Sequence, residues 1–241
     1  MSPAFGALRH PNFRRFITGQ FVSLTGSWIQ QVALGWLVLE LTNSAFAVGA
    51  VTAAGTLPVL LFTLHGGAIA DRVNKRRTIL LLQTLMAVEA LVLAVLTLAG
   101  WITLPWILVL AFAHGLFSAY EIPIRQAFLM DLVGRGDLMN AIALNSTAFN
   151  LSRVTGPALA GALTAAFGSA VCFLINGVSF LAVIAGLLRI DLPAGAGDTG
   201  RRRPGLREVL AYLLARGGPR ILVTLTAVFT IFPLSFVTIL T

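Results

Sequence analysis

Charge is what this sequence is short of. Asp, Glu, Lys and Arg make up 11% of its 241 residues, and 57% are hydrophobic. A soluble domain is about a quarter charged. A chain of this size has too little interior to hide so much apolar surface from water, so a soluble globular fold is excluded and lipid is the solvent. Acids are scarcer than bases, nine against 17, which leaves a formal charge of +8. That excess could suggest nucleic acid, but the basic residues fall between apolar runs and form no stripe interleaved with aromatics. Cysteine is almost missing. The one thiol, Cys172, lies inside an apolar run, which excludes a disulfide framework and a cysteine metal site. The basic start, MSPAFGALRHPNFRR, has no short apolar core and small-residue cleavage site after it, so no removable signal peptide is expected.

What is present is long apolar runs. A membrane helix needs about 20 mostly apolar residues to cross a hydrocarbon layer about 30 Å thick. Six runs qualify, at 16–39, 46–70, 78–99, 105–129, 141–167 and 170–188, and a seventh begins near 221 and reaches 241. They are too continuous to alternate as barrel strands do, which predicts an all-α membrane protein.

The cations sort by connection. Arg9, Arg14 and Arg15 precede the first span, Arg72, Lys75, Arg76 and Arg77 fill the second-to-third connection, and Arg135 lies in the fourth-to-fifth. Arg189, Arg201, Arg202, Arg203, Arg207, Arg216 and Arg220 lie in or beside the sixth-to-seventh. The alternate connections, LTNSA, GWITLP and FGSA, hold none. Lys and Arg stay on the cytoplasmic side, so this asymmetry predicts a cytoplasmic N-terminus in a plasma (cytoplasmic) membrane protein. Trp101 and Trp106 flank an outer connection, where interfacial aromatics belong. The expected organisation is a cytoplasmic N-terminus (1–15), a six-helix transmembrane bundle (16–188), a cytoplasmic linker (189–220) and a partial seventh span (221–241). Within the linker LPAGAGDTGRRRPG reads as flexible and GLREVLAYLLARGG as an amphipathic helix at the basic surface.

Two short stretches carry more than topology. Gly67-Ala-Ile-Ala-Asp71-Arg72-Val-Asn74-Lys75-Arg76 resembles the G-x-x-x-D-R-x-G-R-R signature between helices two and three of the major facilitator superfamily. Asn74 stands where that pattern has Gly, a position expected to need a left-handed turn, for which Asn is the next-best residue. Lys75 replaces an Arg and removes a bidentate donor. RVTGPALAGA, from Arg153, resembles the Gly-Pro signature of the proton-coupled antiporters of that superfamily. There Gly156, Ala160 and Gly161 remove bulk where a neighbouring helix could approach, and Pro157 removes an intrahelical bond. PIRQAFLMDLV and NAIALNSTAFNLSRVTGPALAG are similar to the enterobactin-exporter-like branch. The resemblance covers the N-terminal half of such a transporter plus the start of the seventh helix. It implies six helices arranged as 3+3 inverted repeats, a cavity lined by helices one, two, four and five, and two bundles that rock around it. On that plan the chain is expected to be truncated and not to transport alone, its second bundle coming from the same gene or a partner chain.

Ionisable groups inside a membrane are costly and default to function. The resemblance makes Asp71 and Arg72 parts of a gate between bundles, with Asp131 a possible partner of Arg72. Lys75, Arg76 and Arg77 could equally serve topology alone. His114, Ser118, Glu121 and Arg125 share one face of the fourth helix by their spacing. Glu121 is a candidate coupling or cation-binding carboxylate, or one half of a structural pair with Arg125. His114 could carry a proton or hold a helix contact. Glu89 lies mid-span on the third helix, where it would be protonated or paired; the resemblance places that helix at the periphery, which makes a coupling role the lesser reading. Arg153 is placed near the inner third of the fifth span and is expected to pair with Asp131 or Glu121. Gln20, Ser23, Ser27, Gln30 and Gln31 form a polar stripe on the first helix that could line a cavity or bond helices together. His65 has no obvious partner.

The leading function is secondary active transport: proton-coupled export of a small amphipathic molecule, siderophore-like or drug-like. The partners are then the bilayer, the substrate and protons, with no cofactor and no metal. A membrane enzyme is the competing class. An intramembrane serine protease would need Gly-x-Ser-Gly, and Gly177-Val-Ser179-Phe lacks the last Gly. There is also no H-E-x-x-H. A non-transporting remnant or scaffold is the third.

Overall fold

A computed structural model describes residues 3–190. The expected seventh span and all but the first two residues of the expected linker lie outside the described residues. A short 3₁₀ helix, Pro3–Arg9, leads into α1 (Pro11–Thr42), α2 (Ala45–Ala70), α3 (Lys75–Leu98), α4 (Leu104–Val133), α5 (Leu138–Phe167) and α6 (Ser169–Leu188). Among the described residues there is no strand.

Each of the first six expected spans is one helix, but the helices run past the apolar stretches on the basic side. There α1 begins at Pro11, α3 at Lys75 and α5 at Leu138, and α4 continues to Val133. Hydropathy marks where lipid ends, whereas caps mark where a helix ends. Pro11 occupies the first turn of α1, where a missing N–H costs nothing. Asn74 accepts from the Arg77 N–H at 3.0 Å and caps α3. This corrects the expectation of a left-handed residue at Asn74. Its φ is −71° and its backbone is extended, so Asn serves here as a side-chain acceptor. The left-handed turn falls instead at Asn43 (φ 46°), which ends α1, with Ser44 next to it capping α2.

By length and composition, five of these helices suffice to cross a membrane, and α5 is the exception. It has the length but carries Asn145, Asn150, Ser152, Arg153 and Thr155. Several polar groups are satisfied inside the helix, as when Asn150 donates to the Ser146 carbonyl and Thr155 to the Leu151 carbonyl, both at 2.9 Å. A helix so satisfied can sit in a bilayer despite its composition.

The bundle packs α1 on α5 and α6, α2 on α4, and α3 on α4 and α6. Exchanging helices one to three with four to six turns α1–α5 into α4–α2 and α1–α6 into α4–α3, and leaves α3–α6 in place. Successive helices reverse direction, so the two triplets are inverted copies, as the family resemblance implied. Close approaches occur at small residues. At the α2–α4 crossing a Cβ on Gly115 would strike the Gly55 carbonyl, and at the α1–α6 crossing a Cβ on Gly19 would lie 2.6 Å from the Ala182 carbonyl. On α5 the expected approach holds at Gly156, whose Cβ would strike Trp28, and Ala160 is fully buried. It does not hold at Gly161, where a Cβ would meet open space among the described residues.

One apolar core lies towards the basic side, where Phe16 meets Phe128 edge-on with ring centroids 5.6 Å apart. A second lies towards the opposite side, around Ile29, Leu93, Ile107 and Phe173. Outward faces carry Phe46, Leu60, Val95 and Val154, all well exposed, as a lipid-facing surface would.

Polar ties close the basic end. Lys75 pairs with Asp131 at 2.7 Å, joining the start of α3 to the end of α4. Arg76 donates to the carbonyls of Leu187 (2.8 Å) and Leu188 (2.9 Å), and Arg15 to that of Arg189 (2.8 Å). These guanidiniums satisfy carbonyls that the end of α6 leaves open, where its dipole is negative. His10 meets Asp137 at 2.8 Å and ties the N-terminus to the α4–α5 connection. Two expected pairings are therefore corrected: Asp131 is engaged by Lys75, and neither Arg72 nor Arg153 is its partner.

The Lys75–Asp131 pair is almost dry, with side chains 9% and 13% exposed. Lys75→Ala is expected to cost about 3 kcal/mol, because it strands a buried carboxylate. Lys75→Met combined with Asp131→Leu should recover most of the loss. Melting in detergent measures both, and a single variant as stable as the parent would show the pair to be dispensable.

Candidate functional site

A cavity of about 360 Å³ opens half-way along the bundle. Its walls come mainly from α1 (Ser27, Trp28, Gln30, Gln31), α2 (Thr52, Gly55, Thr56) and α4 (His114, Gly115, Ser118). The expected lining by helices one, two and four holds, but helix five contributes only Phe149, and helix three, expected at the periphery, contributes Glu89. The approach of Gly55 to Gly115 brings α2 and α4 together in this wall.

Glu89 is the one acid of the lining, and it is buried, 4% exposed. His114 Nδ1 lies 3.0 Å from its Oε2, and Gln30 Nε2 donates to both carboxylate oxygens, at 3.2 and 3.3 Å. Gln30 Oε1 accepts in turn from Asn176 Nδ2 at 2.8 Å. Ser179 Oγ lies 3.1 Å from Asn176 Oδ1. Four helices thus meet in one polar chain at mid-bundle. Gly26 makes room for it, since a Cβ there would strike Ser179 Oγ. A histidine and a carboxyl at this distance need at least one proton between them, on Nδ1 or on the acid. The pair is therefore a proton-carrying group facing a cavity, in a low-dielectric surround where an unpartnered charge would be expensive.

Glu121 and Arg125 form a separate group nearer the basic side, outside the lining. Arg125 Nε donates to Glu121 Oε1 at 2.9 Å, Gln83 Nε2 donates to the same oxygen at 3.1 Å, and Arg125 Nη1 donates to Asn145 Oδ1 at 3.1 Å. Both side chains are buried, and the charges neutralise each other. The shared face expected for His114, Ser118, Glu121 and Arg125 therefore divides. Its first two residues line the cavity, and its last two bond α3 and α5. The α1 stripe divides as well: Ser27, Gln30 and Gln31 line the cavity, while Gln20 and Ser23 are buried outside its lining. His65 finds Tyr120, its Nδ1 3.0 Å from the phenol oxygen.

Arg153 does not take the acids expected for it, since Glu121 is held by Arg125 and Asp131 by Lys75. It lies half-way along α5 rather than near its inner third, exposed, with its guanidinium carbon 6.0 Å from the Trp28 ring centre. In the loop signature Asp71 ends α2 and Arg72 follows, both exposed, and Gly67 has open space where a Cβ would point. Trp28, Phe149 and Asn176 are not singled out from sequence, and Glu89 is raised there only as a peripheral acid. For Glu89 the signal was present, a lone acid in a span, but its partners lie on other helices.

These features define a polytopic helical membrane protein whose bundle holds a partly open, mainly apolar cavity with a polar chain in its wall. The chain belongs to the transmembrane secretion effector family of the major facilitator superfamily, whose model matches residues 2–231. It is 32% identical over 216 residues to the staphyloferrin A transporter of Staphylococcus aureus (strain NCTC 8325 / PS 47), covering 87% of this chain and 53% of that protein. It is 31% identical to the multidrug efflux pump Tap of Mycolicibacterium fortuitum, with 74% and 46% covered. It is 30% identical to the enterobactin exporter EntS of Salmonella choleraesuis (strain SC-B67), with 67% and 39% covered. The chain spans about half, or less, of the length of these relatives.

Proposed function

We propose that this chain supplies one bundle of a proton-coupled exporter that works by alternating access and carries a small amphipathic molecule, siderophore-like or drug-like. The observation that carries this reading is the pair of buried Glu89 and half-buried His114 facing the mid-bundle cavity. It is a group that can gain and lose a proton where a substrate would sit. The relatives' names, two siderophore transporters and a drug pump, support the substrate class. The second bundle closes the cavity from the side left open. Gly67, Asp71 and Arg72 meet that bundle in the inward-closed state, the acid facing a helix N-terminus. Lys75 and Arg76 act within this bundle, where their partners already lie. The basic loops support a cytoplasmic N-terminus in the cytoplasmic membrane.

The test uses inside-out vesicles carrying the complete gene product, with an acid interior generated by respiration. Adding carboxylate, catecholate or lipophilic-cation probes one at a time should collapse the pH gradient for at least one class. A gradient untouched by all three would remove proton coupling. Liposomes holding residues 1–241 alone are expected to show no flux, and robust flux there would overturn the need for a second bundle.

A further inference from the structure

Arg153 is a charge in an expensive place. It stands half-way along α5, level with the middle of the bilayer if the 30-residue helix spans it. A guanidinium there is tolerated when it is paired or faces a wet cavity, and it stays charged in either case. The ion pairs of the described residues are His10–Asp137, Lys75–Asp131, His114–Glu89 and Arg125–Glu121, and none includes Arg153. Its recorded neighbour is an aromatic face. The guanidinium lies over Trp28, and Trp28 meets Phe149, one turn before Arg153 on α5, edge-on at 5.8 Å. Both aromatics line the cavity. A cation–π contact at 6.0 Å leaves the N–H fork free to donate to an anion, and the guanidinium itself stands beside the cavity lining rather than in it. The opposite wall is different: Glu89 is already occupied by His114 and Gln30 and so offers little to a cation.

We propose that Arg153, beside Trp28, binds the anionic group of an amphipathic organic carboxylate whose apolar body lies in the cavity against Trp28 and Phe149. This rests on the transporter reading and names its substrate class. The Glu89–His114 pair then exchanges the proton while Arg153 holds the cargo, so the two tasks fall on different residues.

The test is binding, not transport, so it stands or falls apart from proton coupling. The complete gene product in detergent is titrated with dansylglycine, an anion, and dansylcadaverine, a cation with the same fluorophore. The unaltered protein should prefer the anion by about tenfold or more, the scale of one charge-assisted contact. Arg153→Gln should abolish that preference, and Arg153→Lys should keep part of it, since a point charge replaces the fork. Trp28→Phe, which keeps an aromatic face, should weaken the anion less than Arg153→Gln does. A preference for the cation, binding of neither probe by the unaltered protein, or an Arg153→Gln variant that keeps the anion preference would each overturn the proposal. The last result would mean that Arg153 pairs with an acid elsewhere in the complete protein. The probe preference of the unaltered protein needs no variant, so a misfolded mutant cannot hide the answer.

Discussion

Glu89→Gln is expected to cut pH-driven flux by more than about tenfold, a loss of about 1.4 kcal/mol or more in the coupled step, while the protein still folds. Gln matches Glu in size and keeps an oxygen for the Gln30 amide and for His114, so the contacts among α1, α3 and α4 survive. What it loses is the ability to carry a proton or a charge. Glu121→Gln should do the reverse. It leaves Arg125 buried without its carboxylate, so it lowers the melting temperature, but it leaves substrate-induced proton release unchanged. Proton release into weakly buffered detergent solution, measured for both variants, separates them. Loss of release in Glu121→Gln with normal release in Glu89→Gln would move coupling to the α4 pair. The expectation follows from where the two acids sit: Glu89 is in the cavity wall, and Glu121 is locked by Arg125 and Gln83 outside it.

Gly115→Leu is the second large effect, and it acts on assembly. At this crossing backbone lies on backbone, since the nearest atoms to an added Cβ are the carbonyl oxygen, carbonyl carbon and Cα of Gly55. No flexible side chain can yield, so α2 and α4 must separate, and the cavity wall they share goes with them. The cost should exceed about 3 kcal/mol, beyond the usual range for overpacking where neighbours can shift. Gly49→Leu is the control. It lies on α2, the partner helix of this crossing, with nothing near its Cβ position, and should change stability by no more than about 0.5 kcal/mol. Loss of monodisperse protein for Gly115→Leu with an unchanged Gly49→Leu is the expected pair of results. A well-folded Gly115→Leu protein would show that the crossing can slide.

These cases also mark what could be read in advance. Gln30, Gln31 and His114 were legible as cavity candidates because a polar residue in a lipid-facing run is costly and stands out. Glu89 stood out for the same reason, yet its role was not legible. Spacing compares residues on one helix, whereas the partners of Glu89 are Gln30 on α1 and His114 on α4. Gly156 and Gly161 look alike in sequence, and among the described residues only the first has a helix against it. Lys75, Arg76 and Arg77 read as one basic cluster. The structure gives the first a buried acid and the second the end of α6.

The sequence by itself determined the solvent, the six helices of the described residues and which connections carry the cations. These follow from transfer free energies and charge, which are properties of each residue and accumulate along the chain. It also carried the family, through the loop and Gly-Pro signatures. Only the tertiary structure decided which acid faces the cavity, which is silenced by a pair, and which mid-span arginine has no ion pair among the described residues. Those are properties of neighbours brought together from distant helices, and a residue's chemistry at mid-membrane is set by what stands opposite it.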